Sequence, residues 1–155
     1  MIDKRYYFFD NYLQLANYAQ NKLTMPTFSK LQKALYFLWA EYSASYGQLE
    51  DYPKQLFQTN FIAGKYGPTL KGFKSDWYKH IANDVYEFND TMLSRDIKLF
   101  IDDLLKQIDQ IDTFGLITRS WQDQAWQVAW HNDNHLMNSK LITQNYLTYL
   151  KEANN

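Results

Sequence analysis

Two histidines stand four residues apart in His131-Asn132-Asp133-Asn134-His135. On a helix that spacing puts both imidazoles on one face, where a metal could bridge them with Asp133 or Asp123 as a further ligand. The segment lacks the glutamate of the His-Glu-x-x-His motif, and Asn and Asp between the histidines favour a turn over a helix interior. A solvated loop without metal is the expectation. Asp102-Asp103 and the Asp109, Asp112 pair could do acid–base work, but helical spacing puts them on the polar side of a long amphipathic segment, so a solvated face is expected there too. His80, after Trp77-Tyr78-Lys79, sits where a cation suits a helix C-terminus. No nucleophile has a base beside it, no glycine-rich loop could cradle a phosphate, and the absence of cysteine excludes thiol catalysis, disulfides and thiolate metal sites. The sequence therefore nominates no catalytic residue, no metal and no cofactor, and a metal-dependent hydrolase around His131 and His135 stands only as a third reading behind two binding roles.

Aromatic residues are the better candidates for function. They make up 18% of the 155 residues, as 13 tyrosines, 10 phenylalanines and five tryptophans. Buried tyrosines and tryptophans need partners for O–H and N–H, so an aromatic-rich chain puts many rings at core edges or in protein interfaces. Trp126 and Trp130, four apart, are expected to share a helical face, with Trp121 projecting elsewhere. Core packing is their expected state; any that reach the surface would be natural interface anchors.

Backbone geometry dominates Phe61 to Phe73, which holds three of the five glycines and one of the three prolines. Pro68 fixes its own φ and pushes Gly67 out of the helical region, so Gly67 is expected to cap a helix that Pro68 begins. Leu70, Phe73, Trp77 and Ile81 would be its buried stripe. The turn is either a helix entry alone or also a contact surface presenting Tyr66.

These features need a scaffold, and the rest of the chain reads as helices with short connections. Tyr12, Leu15, Ala16, Ala19 and Leu23 form a first apolar stripe, with Asp10 as candidate cap and Pro26 beyond the end. Ser29-x-x-Gln32 has the capping-box pattern, and the helix after it, through Leu31, Leu35, Leu38 and Tyr42 with Ala34, Phe37 and Trp39, is apolar nearly all round and belongs in the middle of the domain. Gly47 to Pro53 reads as a surface loop, Leu56 to Ala63 as either a strand or a helical turn, and His80 to Met92 as irregular with an extended piece at Val85 to Phe88. Ser94 is expected to cap a long helix with Ile97, Ile101, Leu104, Ile108 and Ile111 inward and Lys98, Asp102, Lys106 and Asp109 outward. Shorter helices are expected at Phe114 to Ser120 and Asp123 to Trp130, and a terminal one at Leu141 to Leu150. The fold class is mainly α: one compact helical bundle over residues 1–155, with room for a short extended segment.

Sixteen basic against 17 acidic residues, a net charge of -1, leave no electrostatic footprint for nucleic acid or anionic lipid. The N-terminal residues contain no apolar run long enough for a signal peptide, and the longest apolar run, Ala34 to Ala40, is far short of a membrane span. A cytoplasmic protein that binds neither nucleic acid nor membrane is the expectation.

Several of these residues together resemble a known family. Leu31-Gln32-Lys33-Ala34-Leu35-Tyr36-Phe37, the Leu56-Phe57 pair, Phe61-Ile62-Ala63-Gly64-Lys65-Tyr66-Gly67-Pro68 and Leu116 to Trp126 look like the Panacea domain, the SocA-like family of phage-associated proteins. The likeness covers most of the chain. Ala34 replaces a usual Leu, and in Ser120-Trp121-Gln122-Asp123-Gln124-Ala125-Trp126 a tryptophan, Trp121, stands where the family commonly has His, while Asp123 and Trp126 match. The resemblance implies an antitoxin that neutralises a small protein toxin by direct binding. The family's SocA-like example implies a related role, as an adaptor delivering the toxin to a cytoplasmic AAA+ protease. Neither role needs catalysis, and with Trp121 at the histidine position no metal or acid–base role carries over. The residues that the sequence nominates for partner contact are Tyr66, Gly67, Pro68, Trp121, Asp123 and Trp126.

Overall fold

A helix that is apolar on nearly every side has no face to give to water, so the amphipathic helices must close around it. The computed structural model describes residues 3–77, 79 and 85–154, and in it α2 (Phe28–Ala44) is that axis. Around it pack α1 (Tyr12–Lys22), α4 (Met92–Asp109), α5 (Thr113–Trp121) and α7 (Ser139–Ala153). A hairpin of β1 (Phe61–Gly64) and β2 (Gly67–Leu70) covers another side, followed by the one-turn helix α3 (Phe73–Asp76), while α6 (Gln124–Trp130) leans on β1 and α7. Leu31, Ala34, Leu35, Tyr36, Leu38, Trp39, Ala40 and Tyr42 are completely covered. Two of the polar tips on α2 are met by backbone: Trp39 Nε1 donates to Phe57 O at 2.9 Å and Tyr42 Oη to Pro53 O at 2.8 Å. Among the described residues no helix is long and apolar enough to cross a membrane.

The mainly helical class and the central place of α2 agree with the sequence reading, and so do the inward stripes of α1 and α4. The caps differ. Asn11, not Asp10, caps α1; Thr27 rather than Ser29 accepts from Lys30 N at 3.2 Å; and Thr91, not Ser94, caps α4. The capping box at Ser29 fails because the Gln32 side chain accepts from Leu70 N at 3.1 Å, tying α2 to the outer edge of β2. Ile111 lies beyond the end of α4 and is half-buried. Two carboxylates expected to be merely solvated on α4 fasten it to α1 and the chain just past its end: Asp102 accepts from Tyr18 Oη, as well as from Lys98 within α4 at 3.2 Å, and Asp109 accepts from Thr24 N at 2.9 Å and Thr24 Oγ1 at 2.6 Å.

The largest correction concerns Gly67 and Pro68, which do not begin a helix. They open β2, whose register pairs Phe61 with Leu70, Ile62 with Thr69, Ala63 with Pro68 and Gly64 with Gly67. Gly67 takes φ +96°, the positive value that a glycine can supply where a hairpin turn re-enters its strand. Pro68 is tolerated because β2 pairs with β1 alone, so a residue without an N–H forfeits little. The helix starts after Gly72 instead, with Phe73 buried and Trp77 half-buried; Ile81 and His80 lie outside the described residues. The other edge of β1 is closed by residues 135–137, where Ala63 N donates to His135 O at 2.8 Å and Met137 N to Phe61 O at 2.9 Å. Leu56 to Ala63 is thus resolved as chain leading into a strand. A 3-10 turn at Tyr46–Gln48 opens the expected loop before Pro53. Val85 to Phe88 forms no strand; Tyr86 and Phe88 pack their rings on Phe9, and Phe88 also on Tyr18.

Candidate functional site

The hairpin turn Gly64-Lys65-Tyr66-Gly67 has carbonyls that the short ladder cannot satisfy, and two tryptophans supply the donors. Trp126 Nε1 donates to Gly64 O at 3.0 Å and Trp121 Nε1 to Lys65 O at 3.1 Å. Each indole is fixed at its polar edge by a backbone acceptor, so the ring cannot turn freely. The rings continue as a row: Phe114 meets Trp121 edge-on at 6.4 Å between centroids, Trp121 meets Trp126 at 6.2 Å, and Trp126 stacks on Trp130 at 5.3 Å with an interplanar angle of 11°. His135 ends the row 5.4 Å from Trp130. Trp121 therefore joins the other two instead of projecting elsewhere, because α5 ends at Trp121 and α6 starts only at Gln124, so the helical phase is broken between them.

Tyr66 is 59% exposed, Phe114 67% and Trp130 37%, whereas Trp121 and Trp126 are half-buried between them and the turn. Lys65 lays its Nζ over the Tyr66 ring at 5.6 Å. Beneath the turn, Gly67 presses on α2 and α5. A Cβ there would lie 2.5 Å from Ser120 Oγ and 2.7 Å from Lys33 Cε, so the close approach requires glycine for space as well as for φ. Lys33 itself is 1% exposed, and no described residue pairs with its amine; burial alone lowers its pKa from 10.5 to about 8. Sequence reasoning missed it, because a lysine in an otherwise apolar stretch reads as the wet position of a helix.

Asp123 holds α6 in place from below. Its carboxylate accepts from Tyr36 Oη at 2.5 Å, Tyr146 Oη at 2.8 Å and Tyr149 Oη at 2.9 Å, joining α2 and α7 at the start of α6. The side chain is 2% exposed, and burial pushes its pKa up although the three phenols oppose that shift. Tyr36 and Tyr146 are raised well above the ordinary phenol value, also by burial first and by the Asp123 charge second or third, and Tyr149 is pushed to about 12.

Of the six residues nominated for partner contact, the structure gathers all into one region but gives them unlike parts. Tyr66 is presented to solvent, Trp121 and Trp126 buttress its turn, Gly67 and Pro68 are buried turn geometry, and Asp123 is an internal anchor. Two exposed rings, Phe114 and Trp130, complete the face. The sequence puts Phe114 in a short helix without a role, and its exposure is what distinguishes it. His131 and His135 are not on a helix, since α6 ends at Trp130 and His135 has φ 55°; among the described residues no three His, Asp or Glu side chains are grouped to hold a metal ion. No family model, curated protein or solved structure matches the chain.

Proposed function

We propose that the protein is an antitoxin that holds a cognate protein toxin inactive by direct binding through the face centred on Tyr66. One observation carries this reading: exposed rings at Tyr66, Phe114 and Trp130 are ranged about two tryptophans whose indole N–H groups are already bonded to the hairpin turn. Large amphipathic rings held rigid before binding lose little conformational freedom on association, which is why aromatic side chains dominate the energetics of protein interfaces. The Panacea-like motifs add the class of partner, a small toxin in the cytoplasm, and complementarity suffices without catalysis. The test is growth rescue. Cells expressing the toxin encoded beside this gene should grow with the wild-type protein and fail with Tyr66→Ala or Phe114→Ala, while both variants melt like wild type. Full rescue by folded variants of all three exposed rings refutes the reading. Toxin lifetime, measured with and without the AAA+ protease, separates plain inhibition, in which the toxin persists, from delivery for degradation, in which it disappears.

A further inference from the structure

A cavity of about 590 Å³ opens between the C-terminal half of α2, the end of α5 and the last turns of α7. Its volume lies in the range of small-ligand sites. Its floor is Asp123 with the phenols of Tyr146 and Tyr149, its apolar wall is Phe37, and Glu41 and Arg119 stand at its sides. All three phenolic protons of the cluster point at Asp123, so each of those oxygens has only lone pairs left to offer. Glu41 is half-buried, and no described residue donates to its carboxylate; burial holds its pKa above the usual value although Arg119 pulls the other way. The lining is therefore rich in acceptors and aromatic surface, with two carboxylates against one guanidinium and the neutral amide of Gln122, both of these donors being on exposed side chains. The Glu41 carboxylate has no donor among the described residues and still meets solvent, so a cation entering the cavity could pair with it in place of water. Aromatic walls beside it suit the cation and the methylene stem that carries it.

We propose that this cavity binds an alkylammonium group, with Glu41 as its ion-pair partner, the Tyr149 oxygen as a second acceptor and the Phe37 and Tyr149 rings along its methylene chain. An anion would meet two carboxylates and find a single donor side chain of opposite charge. A bare metal ion would find both Asp123 oxygens already occupied by phenols. The ammonium group could come from a free diamine or from a lysine side chain of a bound protein. The proposal does not depend on the aromatic face, so it can stand or fall apart from the antitoxin reading.

The test is an amide-resolved NMR titration of the intact protein with 1,5-diaminopentane, with capped lysine (N-acetyl-lysine methylamide), and with pentanol and acetate as uncharged and anionic controls. The expected result is saturable shifts at Glu41, Tyr146 and Tyr149 with an amine and with neither control. Glu41→Gln should weaken amine binding about tenfold, the scale of one charge-assisted hydrogen bond. Tighter binding of the diamine identifies a free amine as the ligand, and tighter binding of capped lysine a basic protein side chain. Tyr149→Phe provides a second variant and should weaken binding too. Absence of saturation with both amines overturns the proposal, as do equal shifts with pentanol, saturation by acetate in place of amine, or wild-type amine affinity retained in both folded variants.

Discussion

Replacing Lys33 with Met tests the account of the turn's foundation most directly. The stem of Lys33 is buried beneath Gly67, no described residue pairs with its amine, and its pKa falls from 10.5 to about 8 through desolvation. Because the folded-state value is the lower one, the unfolded chain binds more protons between pH 8 and 10.5, and stability must rise with pH across that window. Below pH 8 both states carry the proton and the full penalty applies, about 3 kcal/mol for a shift of this size. Between pH 7 and 9.5 Lys33 by itself should therefore contribute a gain of about 2 kcal/mol, read as the difference between wild type and the variant. Above about pH 9 the tyrosines oppose this gain in wild type and variant alike, because nine of those described, Tyr36 and Tyr146 included, have raised pKa values and keep their protons in the folded state while unfolded tyrosines ionise. Met keeps the apolar stem that packs against Gly67 and removes the charge. Lys33→Met should accordingly stabilise the protein at pH 7 by about 2–3 kcal/mol and abolish the alkaline gain. Urea unfolding followed by circular dichroism at pH 7 and 9.5, at one ionic strength, measures both. A variant that keeps the wild-type slope, or is less stable than wild type at pH 7, would show that the amine is solvated or paired and refute the reasoning.

Gly67→Ala should destabilise by about 1–3 kcal/mol, since it combines a positive φ with a Cβ 2.5 Å from Ser120 Oγ; a melting curve like wild type's would mean the turn can move off α5. Tyr66→Ala should leave melting nearly unchanged and weaken toxin binding by about 2 kcal/mol or more, read by calorimetry, whereas Pro68→Ala, inside β2, should leave affinity intact. Asp123→Ala strands the two buried phenols of Tyr36 and Tyr146 and frees the exposed Tyr149, and should lower stability by about 3 kcal/mol in chemical denaturation, against about 1 kcal/mol or less for Tyr149→Phe; equal losses would argue against one shared acceptor. Leu35→Ala, at a completely covered position of α2, should lower stability by about 2–5 kcal/mol in the same assay.

Periodicity placed the long helices, and for a physical reason: a stripe such as Ile97, Ile101, Leu104 and Ile108 can be buried only if the chain is helical, and an all-round apolar α2 can be buried only at the centre. Helix ends were legible only to within a turn, because competing caps such as Thr27 and Ser29 differ by little locally. Gln32 could not act in a capping box once Leu70 N was within reach, and nothing near it in the sequence reveals that partner. The Gly-Pro pair is ambiguous for the same reason. Its dihedral preferences suit a helix start or a strand after a turn, and the decision came from Ala63 opposite Pro68 and from residues 135–137 closing the far edge of β1. The candidate face was half legible. Residue type singled out Tyr66, Trp121 and Trp126, but which ring meets solvent depends on contacts between segments more than fifty residues apart, such as Trp126 with Gly64 and Trp121 with Lys65. The buried states of Lys33 and Asp123 belong wholly to the tertiary structure. A charged residue reads as exposed until the fold surrounds it, and only then does desolvation set its proton affinity and its part in the molecule.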